Sequence, residues 1–151
     1  MEAIKSELFK KYKMLLQDKI DIYQDLIDSL TLDAQNDAKS SAGDKHETTL
    51  SKLHIEQEKI SQKLKEALAQ YQILTKIEAH QKNNTTAVLG SLVVTNHLKV
   101  LIATALPKIV VNNEAYFAIS PKTPLGECLL GQKKGYAFQL NQVSYKIEAI
   151  F

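Results

Sequence analysis

Two long apolar stripes with a helical repeat occupy the first half of the chain and constrain its fold more than any other feature. Their apolar positions recur three and four residues apart, which is the heptad spacing of helices that pair with each other. Lys, Asp and Gln fill the outer positions, so neither amphipathic helix can bury its stripe alone. The clearer stripe comprises Leu50, Leu53, Gln57, Ile60, Leu64, Ala67, Tyr71 and Leu74, and the earlier one comprises Ile4, Leu8, Tyr12, Leu15 or Leu16, Tyr23, Leu26, Leu30 and Ala34.

A cluster of helix-breaking residues, Lys-Ser-Ser-Ala-Gly-Asp at 39–44, separates the two stripes. A short connection between two helices of similar length predicts antiparallel neighbours that pack along their stripes. We therefore expect an α-helical coiled-coil hairpin over residues 1–82, with the chain doubling back at 40–43. At about 1.5 Å per residue its arms would be on the order of 50 Å long. The same heptads can also pair two chains, but we expect a monomer.

The composition changes near residue 83. Before residue 83 there is one glycine, Gly43, and no proline. The other four glycines and all three prolines follow residue 83. β-Branched runs also begin there. This change predicts a boundary at Asn83-Asn84 between a helical part, 1–82, and a strand-rich part, 83–151. The expected fold class is α+β.

Short strands and one short helix are expected in the second part. Thr123 as the N-cap, Pro124 in the first turn and Gly131 as a stop predict a helix over 124–130. The pairs Asn112-Asn113 and Asn141-Gln142 suit tight turns between antiparallel strands. The expected strands are 88–94, 99–105, 108–111, 115–119, 136–140 and 143–150, with an interruption at Pro107.

The overall composition narrows the class of protein. With 44% hydrophobic and 24% charged residues the chain is expected to fold, and a net charge of +2 gives no general case for binding nucleic acid. The opening MEAIKSELFKKYK lacks the features of a secretion signal, and no later stretch approaches the roughly 18 apolar residues of a membrane span. We expect a cytoplasmic protein without membrane contact. Cys128, the one cysteine, stands in an apolar run and is interpreted as a small hydrophobic residue.

The connection between the stripes carries the strongest candidate for chemistry. Asp44 and Glu47 are three positions apart at a predicted helix start, where two carboxylates can converge on one cation. The same spacing is typical of a capping box, in which both side chains bond free backbone N–H groups. Spacing alone favours the capping box. The position at the tip of a long hairpin favours delivery of the acids to another molecule.

Two motifs resemble the GreA/GreB family of bacterial transcript-cleavage factors. The run Gly43-Asp44-x-x-Glu47 is similar to the acidic hairpin tip of that family. Thr123-Pro124-Leu125-Gly126, followed by Leu129-Leu130-Gly131 and Gly135, resembles the signature of the family's C-terminal FKBP-like domain. Leu89-Gly90-Ser91-Leu92-Val93, at the start of the second part, completes a likeness that spans both parts in the same order.

This resemblance implies a specific function. The C-terminal part would be a small FKBP-like antiparallel sheet domain with one short helix, docking on bacterial RNA polymerase at the mouth of its secondary channel through the region of Thr123, Pro124, Leu125 and Gly126. The hairpin would place Asp44 and Glu47 beside the catalytic magnesium, where they help hold a second Mg²⁺ while the polymerase cleaves backtracked RNA. The chain would not itself be an enzyme. It would bind no cofactor stably, and it would meet the nascent RNA 3′ end only indirectly.

The chain also departs from the family's pattern. Thr48-Thr49-Leu50-Ser51 replaces Asn-Ala-Glu-Tyr after the tip, and Tyr136 replaces the usual Asp after Gly135. These departures leave open a regulator that occupies the secondary channel without stimulating cleavage. A third possibility is a coiled-coil interaction or chaperone module unrelated to polymerase.

Other residues are weaker candidates. The histidines have no cysteine partners or ligand spacing, which indicates surface residues and not zinc ligands. Lys39 and Lys45 flank the tip and could meet RNA phosphates, although a solvated face is the simpler interpretation. No residue pattern specifies a prolyl isomerase pocket. The four histidines are His46, His54, His80 and His97.

Overall fold

The computed structural model describes the backbone of residues 1–38, 44–82 and 85–151, and the side chains of the same residues except 37, 38 and 44–47. Two long helices precede a sheet and a short helix, so the α+β class is confirmed. Among the helices described, none combines the length and apolar character that crossing a membrane requires. The elements are α1 (Glu2–Ala38), α2 (Asp44–Ala79), β1 (Leu92–Thr95), β2 (Lys99–Ile102), β3 (Leu106–Val111), β4 (Glu114–Ile119), α3 (Pro124–Leu129), β5 (Ala137–Leu140) and β6 (Val143–Ile150).

The chain divides into two compact units. The first consists of Met1–Lys13 and Gln72–Phe151, and the second of Met14–Tyr71. The beginning of α1 and the end of α2 therefore belong to the same unit as the sheet. The composition change near residue 83 marks where helix gives way to strand, since α2 ends at Ala79.

In the second unit the residues of the predicted α2 stripe are less exposed than the residues between them. Ile60 and Ala67 are buried, and Leu53, Gln57 and Leu64 are half-buried. Gln57 Nε2 also donates to Thr31 Oγ1 at 2.8 Å, a contact that joins α2 to α1.

The earlier stripe contains one wrong assignment, Leu26. Its side chain is exposed, while the neighbouring Ile27 is half-buried. Two successive apolar residues lie about 100° apart around a helix. The apolar pattern alone therefore cannot decide which of the two side chains faces the other helix.

The sheet has six strands in the order β3-β4-β2-β1-β6-β5. The prediction of an antiparallel sheet is wrong at one pair, because β2 and β4 are parallel, with Val100 opposite Phe117 and Ile102 opposite Ile119. β3 takes the outer position and β4 returns between β3 and β2. Pro107, which lies inside β3, explains this order, since a residue without an N–H is tolerated at a sheet edge and not in its middle.

Both predicted tight turns are confirmed. Asn112 and Asn113 have φ of 51° and 65°, and Asn141 and Gln142 have φ of 51° and 67°. Two consecutive residues with positive φ make the type I′ turn, whose twist matches that of a β-hairpin. The strand predicted over 88–94 begins only at Leu92, because Gly90 adopts a φ of 93°. The strand predicted over 99–105 ends at Ile102.

One face of the sheet packs against α3. Val93, Ile102 and Ile147 form a buried cluster with Ala87 and with Leu129 of α3. The alternation predicted for the last strand is also present. In β6 the side chains of Ser144, Lys146 and Glu148 are exposed, while Ile147 between them is buried.

The first turns of α1 cross the sheet from the end of β6 to β3. Lys5 Nζ donates to Phe151 O at 3.1 Å, and Lys11 Nζ donates to Val110 O at 3.3 Å. The hydroxyl of Tyr12, a fully buried residue, donates to Pro107 O at 3.0 Å. Burial lowers the pKa of Lys5, and the charge of Glu2 opposes that shift. We call the contacts of Lys5, Lys11 and Tyr12 the α1 clasp.

Replacing Tyr12 by phenylalanine tests the clasp, because it removes the hydroxyl and keeps the ring. We expect the free energy of unfolding at neutral pH to fall by about 1–2 kcal/mol, since the Pro107 carbonyl loses its donor. Burial raises the pKa of Tyr12 to about 12. The folded wild type therefore holds this proton more tightly than the unfolded chain. The resulting stabilisation is complete below about pH 10 and is lost as the pH rises towards about 12.

Urea unfolding followed by circular dichroism, at neutral pH and through the alkaline range, measures both effects. The Tyr12→Phe variant should lack the part of the alkaline destabilisation that Tyr12 causes. Tyr23→Phe is the matched control, because Tyr23 lies on the same helix, is half-buried, and its hydroxyl makes no hydrogen bond to a described residue. Equal stability of Tyr12→Phe and wild type at all pH values would contradict the clasp.

Candidate functional site

The predicted acidic tip lies mostly outside the described residues. The turn at 40–43 and Lys39 are not described, and for Asp44, Lys45 and Glu47 the structure gives the backbone alone. That backbone is helical, and α2 begins at Asp44. Both acidic residues therefore stand in the first turn of a helix, as the sequence predicted.

The predicted docking motif builds the start of α3. Thr123 is the N-cap, since its Oγ1 accepts a hydrogen bond from Gly126 N at 3.1 Å and donates one to Ser120 O at 2.8 Å. Pro124 occupies the first helical position, where its missing N–H costs nothing. Leu125 is partly buried against the cluster that holds α3 on the sheet. Of the four residues, Pro124 alone has a largely exposed side chain.

Gly126 has a steric role that sequence reasoning missed. A Cβ at this position would lie 2.4 Å from Ser120 O and 2.9 Å from Pro121 Cα. Both are backbone atoms, so the neighbouring loop would have to move. The glycine that weakens the helix by propensity is therefore required by the close approach of residues 120–121.

The remaining residues of this motif end the helix and open the next turn. Leu129 is fully buried in the core cluster. Gly131 follows the C-cap residue Leu130 with a φ of 79°, and Gly135 has a φ of 94°, both in the left-handed region that favours glycine. The helix ends at Leu129, one residue before the predicted end.

The Leu89–Val93 motif brings the end of α2 against the sheet. A Cβ on Gly90 would lie 2.6 Å from Ile77 Cγ2 and 2.8 Å from Gln81 Nε2. Gly90 N donates to Ile102 O at 2.6 Å, which fixes this approach from the sheet side. Lys13 Nζ bonds Glu78 Oε1 at 3.2 Å and joins α1 to α2 in the same unit.

The histidines and the cysteine form no metal site in the described part of the chain, where no group of three or more His, Cys, Asp or Glu residues converges. His80 Nδ1 lies 2.8 Å from Lys76 O, and the His97 ring contacts the Tyr145 ring edge-on. His54 is exposed, and the side chain of His46 is outside the described set. Cys128 is a free thiol of intermediate burial.

Replacing Gly126 by alanine should destabilise the chain, although alanine is the better helix former by about 1 kcal/mol. The added methyl group must displace backbone, so we expect a net loss of roughly 1–3 kcal/mol. Glu127→Ala, one residue further on and exposed, is the control and should change stability by less than about 0.5 kcal/mol. Thermal unfolding of the two variants measures the difference. A Gly126→Ala variant as stable as the control would show that the loop yields at no cost.

No family model matches the chain, and a search of curated proteins returned no significant match. Membership of a family is accordingly a proposal that rests on the residues of this chain.

Proposed function

We propose that this chain is an RNA polymerase-binding transcription elongation factor of the GreA/GreB type. Its hairpin tip enters the secondary channel, and Asp44 and Glu47 help the polymerase to cleave backtracked RNA. The observation that carries the proposal is the place of these two acids, which lie in the first turn of a 36-residue helix, where the breaker cluster of 39–44 ends.

The contacts between α1 and α2 support an antiparallel coiled-coil hairpin. Lys13 contacts Glu78 near one end of the helices, and Thr31 contacts Gln57 further along α1. The partner position on α2 falls as the position on α1 rises, which is the pattern of antiparallel neighbours. The burial of the heptad positions agrees with this pairing.

The C-terminal part supports the same family through its second motif. Thr123, Gly126 and Gly131 each serve a specific local need of α3, so their spacing specifies this loop and helix. An FKBP-like domain with this signature is the finer fold that we propose for 83–151. Docking of the Thr123–Gly126 region on the polymerase is part of the proposal.

The chemistry requires little from this chain beyond two carboxylates. Hard oxygen ligands suit Mg²⁺, and a second metal ion both activates water and stabilises the leaving oxygen in phosphodiester hydrolysis. Asp44 and Glu47 would supply ligands to a Mg²⁺ that the polymerase shares. The catalytic centre belongs to the polymerase.

The second candidate is a secondary-channel regulator that does not stimulate cleavage. The segment Thr48-Thr49-Leu50-Ser51 favours it, because the acidic and aromatic residues that follow the tip in the family are replaced by hydroxyl and apolar side chains. Such a protein would bind the same channel and change initiation or pausing.

A transcript-cleavage assay on stalled, backtracked elongation complexes separates the candidates. If the first is right, the wild type shortens the RNA, and the double variant Asp44→Asn, Glu47→Gln reduces the rate by at least about tenfold, since losing even indirect support of a metal ligand costs roughly 10–100-fold. The double variant should still fold, with a loss of helix-start charge worth up to about 1 kcal/mol. It should also still bind polymerase.

The matched control is Asp33→Asn with Glu58→Gln, which makes the same charge change at exposed positions on α1 and α2. It should cleave at the wild-type rate. Full activity of the tip variant would exclude the metal-ligand role, and polymerase binding without shortened RNA would support the regulator. If the chain fails to bind core polymerase in a pull-down, both candidates are wrong and an unrelated coiled-coil interaction module remains.

A further inference from the structure

The two edges of the six-stranded sheet differ in how the rest of the chain covers them. At the β3 edge, Lys11 and Tyr12 of the α1 clasp donate to the carbonyls of Val110 and Pro107. Pro107 also removes one N–H from this edge, and Lys108 adds an exposed charge. Proline, lysine and covering side chains all prevent another strand from pairing. The β3 edge is therefore closed.

β5 itself, Ala137–Leu140, contains no proline or lysine, and within residues 85–151 no side chain is hydrogen-bonded to its outer edge. Leu140 pairs with Val143 across a two-residue turn, so this pair exchanges ladder hydrogen bonds. The antiparallel alternation then directs the N–H and C=O of Ala137 and Gln139 away from β6. Neither residue receives a backbone hydrogen bond from another segment of this range, and both are exposed. The edge thus presents two donors and two acceptors.

Positive charge and an aromatic ring flank this open edge. Lys133 and Lys134, in the turn that leads into β5, are exposed and form no ion pair with any described carboxylate. Tyr136 is 39% exposed, and its ring stacks on that of Phe138 with the centroids 5.7 Å apart. Phe138 itself packs on the core cluster, so it holds the Tyr136 ring in place.

We infer that the β5 edge docks an extended, acidic segment of a partner protein, which adds to the sheet as a seventh strand. Ala137 and Gln139 supply the backbone hydrogen bonds, and Lys133 and Lys134 select carboxylates at one end of the added strand. The exposed part of Tyr136 covers an apolar residue of the segment. This is the β-augmentation mode, in which main-chain bonds give affinity and side chains give specificity. The inference does not depend on the hairpin tip or on polymerase cleavage.

A peptide fits this surface better than two other occupants. A nucleic-acid strand carries no alternating N–H and C=O groups and cannot complete the ladder. A second copy of this chain, paired β5 to β5, would set Lys133 and Lys134 beside the neutral Asn141-Gln142 turn of the other copy and leave both charges unused. A four-residue strand also offers far less than the roughly 1,200 Å² that a stable interface buries.

The test begins with a library of random twelve-residue peptides displayed on phage and selected on the full chain. We expect the selected peptides to share a run of β-forming residues with at least one Asp or Glu at one end. A selected peptide, added to the ¹⁵N-labelled protein, should slow the hydrogen exchange of the Ala137 and Gln139 amides. Fluorescence anisotropy of the labelled peptide gives its Kd.

Gln139→Pro removes one outward N–H and should weaken binding roughly tenfold. Val110→Pro is the matched control, because its N–H also points outward, but at the closed β3 edge, and it should leave the affinity unchanged. Lys133→Glu with Lys134→Glu should weaken binding about fivefold at low salt and by less at high salt. If Gln139→Pro does not fold, a peptide methylated on alternate backbone nitrogens tests the same bonds on the wild type and should bind at least tenfold more weakly.

Several results would overturn the inference. They are a library that yields no binder, selected peptides without acidic residues, and binding that leaves the Ala137 and Gln139 amides unprotected. Retained affinity of the methylated peptide would also overturn it. Sedimentation that shows a dimer with these two amides protected would assign the edge to a second copy, and displacement of the peptide by a single-stranded oligonucleotide would assign it to nucleic acid.

Discussion

The central strands β1 and β2 can bury both of their faces only if the long helices contribute, and the rest of the structure depends on that constraint. Val93 and Ile102 point towards α3, so Leu92 and Leu101, which alternate with them, point to the opposite face. Both leucines are nevertheless fully buried. The α1 clasp and the end of α2 belong to the same unit as these strands, and they are the parts of the long helices that contact the sheet side of that unit.

This packing changes how the two motifs should be weighed. Thr123 caps α3, Gly126 admits a neighbouring backbone, and Gly131 ends the helix with a left-handed φ. Residues with such roles explain a local fold, and a shared fold alone does not specify a function. The functional proposal therefore depends more on Asp44 and Glu47. The same positions also suit a capping box, because carboxylates are favoured in the first turn of a helix.

Local patterns predicted the elements well, because helix periodicity, caps and turn residues act within a few positions. The type I′ turn at Asn141-Gln142 and the N-cap at Thr123 are examples. Strand order was not predictable in this way, since nothing local to β2 reveals that β4 pairs beside it in parallel. Tyr12 was correctly placed on the buried stripe, but its bond to Pro107 was missed. The available signal was its hydroxyl, which must find a partner when the ring is buried. The side chains of the acidic tip lie outside the described set, so their geometry stays a prediction.

The contrast between the two sheet edges follows from the same helical cover. α1 can close only the edge that it reaches, and its third turn ends at β3, where Lys11 and Tyr12 occupy the outward carbonyls. β5 lies at the far end of the strand order, and within residues 85–151 its protection is its length of four residues. Short edge strands limit aggregation, because few backbone groups are exposed. They still leave enough of them to hold one extended segment, provided that side chains such as Lys133 and Tyr136 supply the remaining affinity.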